Sequence, residues 1–293
     1  MSRKTGCWIV LLALICFASL VVPASAQHFK QVTGTLSSVS AGRNEVFGAD
    51  VTNAVWRYVP STKSFVKISN ASLFTVAVGG GTVSQLDAVW GLDTTGNVYE
   101  FQYNTKTFAK IPGVLARITV GIGNQDKCHP YEIWGINPES SVYRYNYCTK
   151  TFVEIANGLV QVATGGGDVW GLDNSDGIWH YNFGAQAFEP VQGFLTQIAV
   201  GVNDVWGVNS SNNVFRYDPT SGTFNSVGGN TAQVAAGGDG MWLIDTSTHI
   251  FRFDSSTESF IQVPGDLTSI SVGSGAGAFG VNSGDAVFTF VRP

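Results

Sequence analysis

Four times along the chain an arginine directly follows an aromatic side chain: Trp56–Arg57, Tyr143–Arg144, Phe215–Arg216 and Phe251–Arg252. A guanidinium that donates to hydroxyls beside a ring that stacks on an apolar face is chemistry suited to sugar recognition. Turn residues Asn97, Asn213 and Asp218 stand close by in sequence and would add polar groups. At the position of these arginines, three further stretches carry Glu100, His180 and Thr289. The competing reading lays each arginine along a neighbouring unit, its stem on apolar surface and its head in water.

Hydrolytic and metal chemistry find no comparable pattern. There is no Gly-x-Ser-x-Gly elbow and no His-Glu-x-x-His, and the four histidines share no ligand spacing. No catalytic residue, metal or cofactor is expected. The formal net charge of −5 and the lack of a basic stretch argue against a nucleic-acid partner.

Residues 1–26 read as a secretory signal peptide, with Arg3 and Lys4, an apolar run from Trp8 to Val22, and a small-residue site at Ala24–Ala26. That run is short for a membrane span of about 20 residues, so a secreted or periplasmic protein without membrane insertion is expected. Cys128 and Cys148 then remain. They flank one hairpin at nearly equal distances from its turn, and secretion permits a disulfide between them. Only His129 stands near, too few ligands for a metal.

Stepping along the chain, an aromatic recurs at Phe47, Trp90, Trp134, Trp170, Trp206, Trp242 and Phe279. Each is followed three residues later by Asp or Asn, from Asp50 and Asp93 to Asn282. Five residues on comes an aliphatic side chain and then an aromatic, as at Val55–Trp56 and Val214–Phe215. A fixed period of this kind marks a solenoid, propeller or array. Each copy holds four short segments rich in Val, Ile and aromatics and bounded by turn residues, which read as strands.

The expectation is all-β: a single β-propeller over residues 27–293, with seven four-stranded blades. The last copy lacks its fourth segment, and Phe29–Val32 has the pattern to supply it and close the ring. The head aromatic is expected to pack between blades. The glycine after it makes room for a neighbouring backbone or ring, and the Asp or Asn bonds the following turn. Loops 79–87 and 121–132 are longer than their counterparts, and insertions in repeat proteins often mark the binding face.

Stretches such as Ala88–Asp93 with Asn97–Phe101, and Asp204–Asn209 with Asn213–Asp218, resemble tectonin repeats, the family of the tachylectin-like and fish-egg lectins. The resemblance implies a propeller lectin that recognises surface glycans through several similar sites. Lectins of that family are six-bladed, which makes six blades the alternative count. The expected function is therefore a secreted multivalent glycan-binding protein, with a protein-binding propeller as the alternative and a hydrolase or lyase as a third reading. Shallow sugar sites bind weakly one by one, and repetition on a rigid ring supplies avidity. On this reading, replacing Arg144, Arg216 and Arg252 together by Ala abolishes glycan retention with little change in thermal unfolding.

Overall fold

The computed structural model describes residues 27–291; the expected signal peptide, residues 1–26, lies outside the described residues. Every repeat folds into consecutive antiparallel strands, as its β-branched and aromatic content requires. Five repeats make separate four-stranded sheets, and the remaining strands form one eight-stranded sheet. One half of that sheet is the first repeat. The other is the last repeat's three strands plus His28–Thr35. A single parallel bridge, Thr33 to Ser64, joins the halves.

His28–Thr35 runs antiparallel to Ala286–Val291, from His28 opposite Val291 to Val32 opposite Val287. The closure expected from Phe29–Val32 is therefore present. The first strand of each repeat touches that of the next, and Ser269–Val272 of the last touches Ser38–Ala41 of the first. The sheets thus form a closed, propeller-like ring with these first strands innermost. Inner strands splay apart where they meet, and side chains bridge them: Gln161 donates to Ile198 O at 3.0 Å and accepts its N–H at 3.3 Å. Gln233 treats Ile270 likewise.

The core lies between sheets. Each head aromatic is almost fully buried and meets, edge to face, an aromatic from the third strand of the next repeat. Trp90 meets Tyr145 at 4.7 Å, Trp134 meets Tyr181 at 4.8 Å, and Trp206 meets Phe253 at 4.7 Å between ring centroids. Phe279 of the last repeat meets Tyr58 of the first at 5.1 Å, which closes the cycle. Such pairs add about 0.5–1.5 kcal/mol each beyond the area they bury. Phe29 packs on Trp242 at 5.5 Å, the place an outer-strand Phe takes against Trp134 or Trp170.

The glycine after the head aromatic lies against the expected neighbouring backbone and against a leucine as well: a Cβ at Gly48 would lie 2.5 Å from both Ser38 O and Leu36 Cδ1. A Cβ at Gly207 would lie 2.3 Å from Leu195 Cδ1, a leucine just before the inner strand of the same repeat. The sixth repeat exchanges the two sizes: Leu243 replaces the glycine and the small, fully buried Thr231 replaces the leucine. Volume is conserved and the packing survives.

Candidate binding surface

The second and third strands set the site in register. Phe47 lies opposite Arg57, Trp134 opposite Arg144, Trp170 opposite His180, Trp206 opposite Arg216 and Trp242 opposite Arg252. Successive side chains of a strand leave opposite faces. Each arginine therefore shares a face with the head aromatic, and the aromatic beside it in sequence leaves the other face. Trp56–Arg57, Tyr143–Arg144, Phe215–Arg216 and Phe251–Arg252 are split in this way. None forms the single ring-plus-guanidinium platform that adjacency in sequence suggests.

The arginines enter the clefts between repeats, and most meet an acid placed two residues before the head aromatic. Arg57 Nε donates to Glu45 Oε2 at 2.7 Å and its Nη2 to Oε1, which raises the guanidinium pKa further despite partial burial. Its guanidinium carbon sits 5.9 Å from the ring centres of Phe47, Phe101 and Tyr103. Arg144 grips Glu132 through Nε at 2.8 Å and Nη2 at 2.5 Å. Glu132 is fully buried and also accepts Trp134 Nε1–H at 2.7 Å.

The remaining clefts vary on this plan. Asp168 takes Trp170 Nε1–H at 2.8 Å and meets His180 Nε2 at 2.6 Å. Burial pushes the Asp168 carboxyl up, but the bonds from His180 and Trp170 outweigh it and leave the pKa below the usual range. Arg216 is looser, 3.8 Å from Asp204 and stacked 5.3 Å over Trp206. The second repeat reverses the sign: Ala88 replaces the acid, and Glu100 comes from the third strand instead. Burial raises the Glu100 pKa, partly offset by bonds from Gln102 at 2.9 Å and Tyr147 at 3.4 Å.

The acids Glu45, Glu132, Asp168 and Asp204 were not singled out from sequence as partners. A signal existed: each stands 12 residues before the arginine or histidine it meets.

The other candidate residues disperse. Trp56 Nε1 donates to Asp50 Oδ2 at 2.8 Å, and Tyr143 OH to Glu154 Oε2 at 3.4 Å. Phe215 and Phe251 pack against buried clusters in the preceding interfaces. Asn97 Nδ2 donates to Asp93 Oδ2 at 2.8 Å, and Asn213 N–H to Asn209 Oδ1 at 2.9 Å. Asp218 ends the strand that Asn213 precedes, and accepts from Thr220 N–H at 2.9 Å. Of all these residues, Tyr143 lines an open groove, of about 580 Å³, with Pro112–Leu115, Asn137 and Glu139.

At the cleft end of the molecule the axis is nearly shut. Glycines such as Gly79, Gly165, Gly237 and Gly273 lie against the next inner strand; a Cβ at Gly273 would lie 2.0 Å from Gly42 O. The axial cavity among them has about 70 Å³, room for a few waters and no more. Beside it rise the two long loops. Asp87 accepts the backbone N–H groups of Arg43, Asn44, Glu45 and Gly81 at 2.6–3.0 Å, which fixes the base of the first loop. Tyr131 OH donates to Leu86 O at 2.9 Å, tying it to the second. Val83 nevertheless stands 89% exposed and Leu86 52%. The expected disulfide, Cys128 to Cys148, has Cα atoms 4.9 Å apart and anchors the second loop.

Among the described residues no group of three His, Cys, Asp or Glu could hold a metal, and no helix is long and apolar enough to cross a membrane. A family model described as the Tectonin domain matches residues 35–221 and 194–292. No curated protein matches the chain. In fold it is similar to U3-55K, with TM-score 0.66 and 10% identity over 90% of this chain and 98% of that one. It is also similar to YCF48, solved bound to a D1 peptide, with TM-score 0.65 and 12% identity over 93% and 97% of the two chains. Prp20p from Saccharomyces cerevisiae, described with its binding to Gsp1p and histones, gives TM-score 0.64 and 12% identity over 87% and 82%. At such identities the likeness is one of fold.

Proposed function

We propose that this chain, which belongs to the tectonin family, works outside the cell as a non-catalytic binding propeller whose long-loop face takes a protein partner. Seven blades are the count we favour. The cycle of inner strands has seven members, and the eight-stranded sheet consists of two antiparallel halves joined by one bridge. The observation that carries the partner reading is the pair Val83 and Leu86. Two apolar side chains are held in water on a loop whose base is fixed by Asp87. A pre-ordered apolar tip loses little entropy on binding, which favours a protein interface. Two proteins of similar fold, YCF48 and Prp20p, are described with peptide or protein ligands.

Cross-linking of the protein to the secreted proteins of its own source tests this. Cross-links should map to residues 79–87 and 121–132, and Val83→Asp with Leu86→Asp should remove them without altering the fold. Partner cross-links confined to the opposite face would refute the reading.

A glycan ligand is the second reading, favoured by the groove that presents Tyr143 with Asn137 and Glu139. An aromatic face beside an amide and a carboxylate suits a sugar ring. On this reading a glycan array gives signal for polymeric glycan that Tyr143→Ala abolishes, and free monosaccharide competes weakly.

A further inference from the structure

In the third repeat one carboxylate oxygen, Glu132 Oε2, accepts from both Trp134 Nε1 at 2.7 Å and Arg144 Nε at 2.8 Å. The sixth repeat holds the same two donors in the same register, Trp242 opposite Arg252. Two residues before Trp242, however, stands Gly240 and no acid. Trp242 Nε1 and Arg252 Nε are both buried, and neither has an acceptor among the described residues. A buried donor without an acceptor is costly, the more so on a charged group.

Trp242, 1% exposed, forms part of the wall of a cleft of about 270 Å³, which Gly275–Ala278 and Phe290 of the next repeat complete. Gly240 is exposed and a Cβ built there would meet nothing within 4 Å, so the position from which Glu132 reaches its two donors in the third repeat stands open here, while the donors themselves are covered.

We propose that this cleft binds a carboxylate-bearing ligand, one oxygen of which accepts from Trp242 Nε1 and Arg252 Nε as Glu132 does in the third repeat. The chain itself indicates the chemistry. Where a head indole has a side-chain partner, that partner is a carboxylate, Glu132 or Asp168. The indoles of Trp90 and Trp206 also lack acceptors, but their clefts already hold the chain's own Glu100 and Asp204. Asp239 stands in the wall of the sixth cleft and accepts Gly277 N–H at 2.9 Å, and Asp254, outside that wall, feels the Arg252 charge. A ligand that brings a hydroxyl donor alongside its carboxylate, as a sugar acid does, meets Asp239 better than a bare anion. The inference is independent of whether the long loops take a protein.

The test reads indole N–H resonances of the ¹⁵N-labelled protein. Trp242→Phe assigns the Trp242 signal and should fold, since Phe47 and Phe279 hold that position elsewhere. Arg252→Thr should fold likewise, since Thr289 holds the matching position in the last repeat. Unchanged signals from the other indoles confirm both. Glucuronate or N-acetylglutamate should shift the Trp242 resonance saturably, while methyl glucoside should not. Arg252→Thr should weaken binding about tenfold or more, the scale of one lost charge-assisted hydrogen bond. A shift with glucuronate alone identifies a sugar acid as the source of the carboxylate, and one with N-acetylglutamate alone identifies an acidic peptide side chain. If neither carboxylate moves the signal, if methyl glucoside moves it equally, or if Arg252→Thr binds undiminished, the proposal is overturned.

Discussion

The two ends of the second strand teach opposite lessons. At the turn end, every repeat makes the same pair of bonds. Asp50 Oδ1 accepts from Thr52 and Ala54 N–H at 2.8 and 3.0 Å, and Asn282 Oδ1 accepts from Gly284 and Ala286 at 3.0 Å each. The five repeats between do likewise. Asp appears where the next strand brings a further donor, as Trp56 Nε1 does to Asp50, Trp179 Nε1 to Asp173 and His249 to Asp245. Asn serves where no such donor points there, before Phe215 and Phe288. At the cleft end the corresponding residues are Glu45, Ala88, Glu132, Asp168, Asp204, Gly240 and Gly277. Backbone geometry dictates the first end, so it repeats. The second end is set by whatever each cleft must hold, so it differs.

The largest test of that contrast lies within the cleft end. Arg144→Ala strands the fully buried Glu132 and should cost about 3–5 kcal/mol in urea unfolding. Arg216→Ala, with a half-exposed pair at 3.8 Å, should cost about 1 kcal/mol or less. Equal losses would mean that the clefts are interchangeable after all. The same geometry corrects the expectation that replacing Arg144, Arg216 and Arg252 together leaves thermal unfolding almost unchanged, because Arg144 neutralises a buried charge.

Reducing Cys128–Cys148 also acts on the cleft end alone. The chain-entropy model assigns a bridge of this span about 3 kcal/mol. Loop 121–132 should become protease-sensitive while the β signal in circular dichroism stays. Loss of that signal would show the loop to be part of the ring's own stability.

At the turn end, Asp173→Ala removes the acceptor of two backbone N–H groups and the partner of Trp179, for about 1–3 kcal/mol. Asp173→Asn keeps the backbone pair, as Asn137 and Asn209 do, and should cost about 1 kcal/mol or less. If the two variants unfold alike, the uniformity of the turns has another origin.

The smallest effect is one of pH. Burial pushes the Asp50 carboxyl up, but hydrogen bonds from Thr52, Trp56 and Ala54 prevail and hold its pKa at about 2. A folded pKa below the unfolded value of about 3.9 gives stability that is complete above that pH and is lost as pH falls towards 2. Asp50→Asn should flatten unfolding free energy against pH in this window and leave it parallel to wild type at neutral pH.

Much of this was legible in the residues. The period located every head aromatic and every turn Asp or Asn, because those roles are local and identical in each copy. Phe29–Val32 announced itself as a displaced outer strand by the same token. Cys128 and Cys148 were paired through their places on one hairpin. For the arginines the sequence offered two readings, a platform with the neighbouring ring or a stem laid along the next unit. It could not choose between them, since only the strand register shows that adjacent side chains leave opposite faces. Their acids lie on the preceding strand, and only the register brings them together. That a leucine also presses on Gly207 was hidden, for Leu195 lies just before the inner strand of the repeat, away from the glycine in sequence. The contrast of Leu243 with Thr231 encodes that contact, but only once the two positions are known to touch.

Closure by His28–Thr35 also governs how the protein goes together and comes apart. An open array of repeats can fray from either end, one unit after another. Here no repeat is terminal, and releasing any one of them breaks an interface on each side. The pairing with Ala286–Val291 joins the most distant of the described strands. Closing so long a loop costs only slightly more than closing one half its length. Until it forms, Ala286–Val291 offers an unpaired edge and Trp242 lacks the ring of Phe29. Amide exchange should therefore slow around the whole ring together when the last pairing is made. The protein should then unfold as one body, latched by the eight residues of His28–Thr35.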